Sequence, residues 1–276
     1  MKNIIAILIV IIIAKSECFS QDSLFLWPSG KNIEIIVNAN VIDSNSILQY
    51  NYLVKSRSNS IQNVHSFYVE FNSNISSIKS PNSWLGLISG IWTNVLMWSS
   101  RDTLYDITPN NSLYGFSYES EGLPSIQKYY GVGFYKLPSV EEGEAPAESE
   151  IVGGGILENS VKGYTISPKD PPNPFIPINF IDTIRAYSDS SYALGWIKDE
   201  QTRDKYDNYF NNVKNYLNQN NNNAAKSELQ KVLTDCNTDS SSVLTGEAYA
   251  LLYFNTDYLI NQIPEGESGL PEKLGR

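Results

Sequence analysis

The chain of 276 residues contains one histidine, His65, and two cysteines, Cys18 and Cys236. A single histidine excludes the common zinc sites that are built from several imidazoles. No Gly-x-Ser-x-Gly elbow precedes a later histidine, which argues against a Ser-His-Asp hydrolase of the α/β type. His65 shares a predicted strand face with Phe67, so we expect it at the edge of the core, and Cys236 has no evident base. The sequence therefore predicts neither a catalytic residue nor a metal or other cofactor.

Positive charge is also scarce. The chain has 20 Lys and Arg against 30 Asp and Glu, which gives a net charge of −10. Proteins that bind nucleic acid present basic surfaces to the phosphates. The charge balance therefore argues against nucleic acid as a partner.

Long apolar runs are confined to the N-terminus, where Ile4 to Ala14 follow the positive charge of Lys2. This run has the length of a secretory signal rather than of a membrane span. We expect residues 1–20 to be a cleavable signal peptide and no span to remain after cleavage. A cut after Ser16 and a lipid anchor on Cys18 are the alternatives. Cleavage after residue 20 leaves Cys236 alone, so the mature protein has no internal disulfide.

Asn, Ser, Gly and Pro punctuate residues 32–138, and the apolar residues between them alternate with the period of a β-strand. The predicted strand faces are Ile33, Ile35, Val37, Ala39 and Val41; Leu48, Tyr50, Tyr52 and Val54; and Phe67, Val69 and Phe71 with His65. Short strands with no helical pattern between them indicate an antiparallel β-sandwich. We assign it to residues 21–166.

Two segments cannot contribute to a core. Residues 141–150 are rich in glutamate and predict a solvated loop, with a calcium site as the alternative. Residues 167–177 are rich in proline and predict a stiff, extended linker. We expect few contacts to cross this linker and the domains on either side of it to be separable.

After the linker the pattern has the period of α-helices, with Asn179 as the first predicted N-cap. The buried stripes are Phe180, Ile181 and Ile184; Tyr206, Phe210, Val213 and Leu217; Ala225, Leu229, Val232 and Cys236; and Ala248, Leu251, Leu252, Leu259 and Ile263, after Thr245 as a cap. Four such helices with short loops predict an antiparallel helical bundle over 178–263. Residues 264–276 are predicted to form a flexible tail.

Within the predicted bundle, the order of four motifs is similar to that of a known family. The motifs are Phe180-Ile181-Asp182-Thr183-Ile184, Gly195-Trp196-Ile197, Ala224-Ala225 with Leu229 and Val232, and Glu247-Ala248-Tyr249-Ala250-Leu251-Leu252. Together they make residues 179–263 resemble the helical FIMAH domain, which occurs towards the C-termini of exported bacterial proteins. The resemblance implies a role in interaction rather than catalysis.

A shorter resemblance lies upstream. The stretches Gly115 to Ser120, Gly122-Leu123-Pro124 and Tyr129 to Gly133 resemble a pattern of secreted bacterial β-sandwich proteins of unassigned role. This resemblance implies an exported sandwich and names no ligand.

Aromatic residues, 12% of the chain, favour a binding role because sugar and peptide ligands stack on such rings. Most are expected to fill the sandwich core. Trp84 follows a predicted turn at Pro81-Asn82-Ser83, so it is the predicted exposed ring and the candidate ligand-binding residue.

Paired carboxylates offer the one remaining route to catalysis, because a glycosidase needs only two acids at a suitable distance. The candidates flank aromatic strands: Asp102, Asp106, Glu119 and Glu121. Acids at strand ends are also ordinary in an acidic protein.

These patterns together favour an exported, non-catalytic protein for adhesion, scaffolding or ligand binding at a bacterial cell surface. A polysaccharide or a surface protein is the expected partner. A carbohydrate-binding module and a two-carboxylate glycosidase are the alternatives.

Overall fold

The structure, a computed structural model, describes residues 25–26, 29–45, 47–89, 94–136, 151–152 and 159–265. The predicted signal peptide 1–20, the acidic loop 141–150 and most of the tail 264–276 lie outside these residues. The chain divides into two compact units, Met1–Ser29 with Lys136–Asn159, and Gly30–Tyr135 with Ser160–Arg276.

The elements follow one another in the order that the sequence predicts, strands first and helices last. The strands are β1 (Phe25–Leu26), β2 (Ile35–Ser44), β3 (Ile47–Ser56), β4 (Val64–Glu70), β5 (Ser76–Lys79), β6 (Trp84–Ile88), β7 (Val95–Ser100), β8 (Ser112–Ser120), β9 (Leu123–Gly133), β10 (Ile151–Val152) and β11 (Val161–Lys169). The helices are α1 (Pro177–Ala193), α2 (Glu200–Asn218), α3 (Asn222–Asp239) and α4 (Gly246–Gln262), and a short 3₁₀ turn spans Thr103–Tyr105.

The first unit contains one described feature, a parallel pair of β1 and β10. In the second unit, one sheet has the strand order β11-β9-β4-β7-β6 and the other the order β2-β3-β8-β5. Neighbouring strands in both sheets are antiparallel. The predicted β-sandwich followed by a helical bundle is therefore confirmed as the fold class.

The alternating positions identified in the sequence face the sandwich core. Val37, Ala39 and Val41 of β2 are buried, as are Tyr50, Tyr52 and Val54 of β3. A period of two places such residues on one side of a strand, and burying that side against the second sheet fixes the register. The predicted strand faces are confirmed.

A chain of buried hydroxyl groups joins the two sheets. Tyr52 Oη donates to the Ile166 carbonyl at 2.9 Å, and it lies 2.7 Å from Tyr118 Oη, which lies 2.8 Å from Ser167 Oγ. With its proton committed to Ile166, Tyr52 accepts from Tyr118, and Tyr118 in turn accepts from Ser167. Burial raises the pKa of both tyrosines, so the hydroxyls stay neutral in this network.

The four helices begin and end close to the predicted positions, and their predicted stripes are buried apart from Leu217, which is half-buried. The predicted cap at Asn179 is wrong: α1 begins at Pro177, with Ile176 as its N-cap. Proline suits the first position of a helix because it has no N–H to satisfy there and its φ is already helical. Among the described residues, no helix is both long and apolar enough to cross a membrane.

The boundary predicted at residue 167 is also wrong, because β11 continues to Lys169. Ser167 and Pro168 are paired with Ser125 and Pro124 of β9. β11 is an edge strand, where a proline costs no ladder hydrogen bond. The Pro168 carbonyl still accepts a bond from Asn72 N at 2.8 Å.

The expectation of few contacts between sandwich and helices is wrong as well. Helix α4 packs against β2, β9 and β11. Its Ala250 and Leu251 belong to the sandwich core, while Ala248 and Leu252 belong to the core of the helices. Helix α4 thus contributes side chains to both cores. The sandwich and the helices therefore pack together as one unit on either side of the proline-rich segment.

Candidate functional site

The ring of Trp84 is not an exposed platform. Trp84 is the first residue of β6, and only 4% of it is exposed. It packs edge-on against Phe116 at 5.1 Å, and its Nε1 donates to the Tyr105 carbonyl at 3.0 Å. The prediction of an exposed ring is wrong, because the turn at 81–83 ends one residue before Trp84 and the strand turns its side chain inward.

His65 lies at the edge of the core, as predicted. Its Nδ1 is 2.9 Å from Asp106 Oδ1, and its ring meets Phe134 at 5.5 Å. The Asp106 side chain is fully buried, and its Oδ2 has no hydrogen-bond partner among the described residues. This pair ties β4 to the segment that follows the 3₁₀ turn, where Ile107 bridges Val64.

The four candidate carboxylates do not converge. Asp102 and Asp106 flank the 3₁₀ turn, and Asp102 Oδ1 accepts a hydrogen bond from Leu104 N at 2.9 Å. β8 begins at Ser112, a few residues after this turn. Glu119 lies towards the other end of β8, roughly 20 Å from Ser112 at about 3.3 Å per residue. Glu121 follows in the turn before β9. Each pair of acids therefore lies at its own end of the sandwich.

Cys236 is a buried residue of α3, as the helical stripe predicted. Burial is the main cause that raises the pKa of its thiol to about 12. A raised thiol pKa keeps the group protonated and unreactive at neutral pH.

We expect Cys236, the one thiol once residues 1–20 are removed, not to react with Ellman's reagent at pH 8 in the folded chain, since only roughly one thiol in ten thousand is ionised four units below its pKa. In urea the thiol becomes exposed, its pKa returns to the ordinary range, and it should react fully. The measurement is the absorbance of the released thiolate. Rapid labelling without denaturant, faster than the chain unfolds, would contradict the buried position.

A partly enclosed cleft of about 120 Å³ lies where the end of the sandwich meets α1 and α4. The start of β9 and the end of β11 form one wall, the proline-rich segment forms another, and the helices close the rest. The residues that line it are Leu123, Pro124, Lys169, Asp170, Pro171, Pro172, Phe180, Thr183, Tyr187 and Asn255.

Asn255 holds the cleft together. It is almost fully buried, and its Nδ2 donates to the Pro124 carbonyl at 2.9 Å and to the Leu251 carbonyl at 2.8 Å. Pro124 belongs to the sandwich and Leu251 to the same helix as Asn255, so one amide fixes the floor of the cleft to both parts. On the opposite side, Asp170 N donates to the Asn72 carbonyl at 3.0 Å.

The cleft combines apolar walls with a few polar groups. Leu123, Phe180 and the prolines are apolar, while Lys169 and Asp170 place opposite charges at exposed positions. Burial raises the pKa of Tyr187, so its hydroxyl remains a neutral donor and acceptor. Apolar walls with a small set of polar side chains are typical of ligand-binding clefts.

Sequence reasoning missed this cleft. The prolines indicated a linker, and nothing in their pattern showed that they would pack beside residues from β9, α1 and α4. The one local signal was Asn255, a polar residue within the apolar stripe of a helix, which calls for a buried partner.

No group of three or more His, Cys, Asp or Glu side chains within the described ranges could hold a metal ion. His65 and Asp106 form a pair, and no third described His, Cys, Asp or Glu completes a metal site with them.

Comparison with known proteins is sparse. No protein-family model and no curated protein matches the chain. Among solved structures, it is similar to an uncharacterized protein from Nocardia farcinica whose structure is described as revealing an immunoglobulin-like fold. The identity is 8%, the match covers 49% of this chain and 97% of that chain, and the TM-score is 0.29. A likeness of this degree adds nothing to what the strands and helices of the chain already show.

Proposed function

We propose that the protein is an exported, non-catalytic binding protein. It holds a ligand in the cleft that is lined by residues 123–124 and 169–172 and by α1 and α4. The observation that carries the proposal is the cleft itself, with its apolar walls and its exposed Lys169 and Asp170. The apolar run at Ile4 to Ala14 supports export, and the resemblance of residues 179–263 to an interaction domain supports binding.

The positions of the acids favour binding over hydrolysis. A glycosidase needs two carboxyl groups within about 10 Å of each other on either side of the scissile bond. Asp102 is engaged in capping a turn and Asp106 in holding His65. Among the described residues that line the cleft, Asp170 is the single carboxylate.

A polysaccharide segment is the ligand class that we favour. Sugars bind through an aromatic ring for the apolar face and through amide, carboxylate or ammonium groups for the hydroxyls. Tyr187, Asp170 and Lys169, which all line the cleft, offer this combination. A surface protein that presents a loop of similar chemistry is the alternative partner.

We expect Thr183→Trp to block the cleft and to weaken glycan binding roughly tenfold or more, because an indole would occupy the space that the ligand needs. Thr183 is an exposed residue of α1 whose hydroxyl bonds the carbonyl four residues back, so its replacement removes no core packing. The measurement is retention of the chain on a panel of immobilised bacterial and plant oligosaccharides.

Thr234→Trp is the matched control. Thr234 is an exposed residue of α3 with the same hydroxyl bond to the carbonyl four residues back, and it lies outside the cleft. Equal retention of both variants would place binding elsewhere. Release of reducing sugar by the unmodified chain would favour the glycosidase alternative instead.

A further inference from the structure

Within the described residues the sandwich has four edge strands, and three of them carry features that prevent pairing with another chain. β2 is covered by α4: Glu247 Oε1 accepts a bond from Ala39 N at 2.6 Å. β5 is short and irregular, with a register shift against β8 and Ser77 at a φ of 50°. β11 carries Lys162, Pro168 and Lys169. Covering helices, irregularity, lysine and proline are the usual means of protecting an edge.

The fourth edge, β6, shows none of these features in the part of the chain that the structure describes. No charged residue occurs between Ser80 and Ser100, in a chain whose net charge is −10. The two β6 side chains on the outer face are apolar, with Leu85 38% and Leu87 45% exposed; Ile88, on the same face as Trp84 at the end of the strand, is 51% exposed. In the described part of the sheet, β6 pairs with β7 alone.

The backbone of β6 is oriented to accept a further strand. Arg101 N donates to the Ser83 carbonyl and Ser89 N donates to the Val95 carbonyl. In an antiparallel ladder the residues that bond one neighbour alternate with those that point to the other side. The backbone N–H and C=O groups of residues 83, 85, 87 and 89 therefore point towards β7. The backbone groups of Gly86 and Ile88 point away from it.

The sequence of this edge reads nearly the same in both directions about Gly86: Ser83, Trp84, Leu85, Gly86, Leu87, Ile88, Ser89. We propose that β6 pairs with β6 of a second copy of this chain, antiparallel and about a two-fold axis at Gly86. Gly86 then opposes Gly86 of the second copy as a hydrogen-bonded pair, in agreement with the direction of its backbone groups.

Side-chain positions fit the same register. A two-fold axis at Gly86 sets Leu85 opposite Leu87 of the second copy, on the outer face of the joined sheet, and Leu87 opposite Leu85. Directly opposed apolar pairs stabilise antiparallel strands. Two acidic chains repel each other over most of their surfaces, and the uncharged edge lets them approach with the least repulsion. A contact surface that meets its own copy is the rule for two-fold dimers.

The contact is confined to one short strand and its flanking side chains, which places it at the small end of protein interfaces. We therefore expect dimerisation that depends on concentration. Sedimentation velocity of the unmodified chain, from about 10 µM to about 1 mM, should show the mass rise towards twice that of a single chain.

Two double variants test the register. Leu85→Lys with Leu87→Lys sets lysine opposite lysine at both pairs and should abolish the dimer. Leu85→Lys with Leu87→Glu sets lysine opposite glutamate at both pairs and should retain it. Both variants place polar residues on the exposed face and leave Gly86 unchanged, where a Cβ would lie 2.8 Å from the Trp98 indole nitrogen. Thermal melts check that both variants are folded.

The expected pattern is a dimer for the unmodified chain and the Lys/Glu variant and a monomer for the Lys/Lys variant. An unmodified chain that stays monomeric at every concentration would overturn the proposal. Equal behaviour of the two folded double variants would overturn it too, because a contact elsewhere on the molecule would not distinguish them.

Discussion

Leu251→Ala is expected to lower the free energy of unfolding by about 2 to 5 kcal/mol, the usual loss for a buried leucine. Leu251 is fully buried and packs with the sandwich core, although it belongs to a helix of the C-terminal bundle. Its neighbour Leu252 faces the core of the helices. A cavity at Leu251 therefore weakens the contact through which each part stabilises the other, and we expect both parts to lose stability together.

Urea unfolding followed by two signals measures this effect. Far-ultraviolet circular dichroism at 222 nm reports mainly the helices, and the near-ultraviolet band reports packed aromatic rings, among them Trp84 and Trp98 of the sandwich core. Both midpoints should shift to lower urea by the same amount. The control is Leu104→Ala, a leucine that is 84% exposed, whose removal should change stability by less than about 0.5 kcal/mol. If only the helical signal shifted, the sandwich and the helices would unfold independently. The core that they share would then contribute nothing to the stability of the sandwich.

Most of the fold follows from local patterns in the sequence. The alternation from Ile33 to Val41 and from Leu48 to Val54 predicts both the strands and their buried faces, because one side of each strand faces the opposite sheet. The stripe of Tyr206, Phe210 and Val213 likewise predicts both α2 and its buried face.

The packing of helices onto the sandwich did not follow from the expected linker, yet α4 itself contained the signal. Ala248, Ala250, Leu251 and Leu252 cover more than one stripe of the helix. A helix that is apolar around much of its circumference is buried on more than one side. The two-sided pattern indicates a second contact surface, and the proline-rich composition of residues 167–177 concealed it.

The cleft depends on distant parts of the chain and has no local signature. Leu123, Tyr187 and Asn255 are each separated by more than sixty residues and meet only because α4 packs on the sandwich. Single-sequence patterns report which face of an element is buried. They do not report which elements meet, and a site built at such a junction is therefore not predictable from them.

Trp84→Ala is expected to lower the free energy of unfolding by about 3 to 5 kcal/mol, the usual cost of removing a buried tryptophan ring. The ring fills part of the sandwich core against Phe116, and its Nε1 holds the Tyr105 carbonyl of the 3₁₀ turn. The loss should appear as a lower urea midpoint. Because the ring is buried, ligand retention by the fraction of chains that stay folded should not change.

Two further variants serve as controls. One separates the packing of the Trp84 ring from its hydrogen bond, and the other measures the effect of removing an exposed aromatic ring. Trp84→Phe removes the donor and the smaller part of the ring but keeps most of the apolar contact. Its cost should therefore exceed about 1 kcal/mol, the net worth of one hydrogen bond, and stay below that of Trp84→Ala. Tyr114→Ala removes a ring that is 79% exposed, and its cost should lie within about 0.5 kcal/mol of zero. A Trp84→Ala chain that kept full stability but lost glycan retention would reverse the interpretation and make Trp84 a ligand contact rather than a core residue.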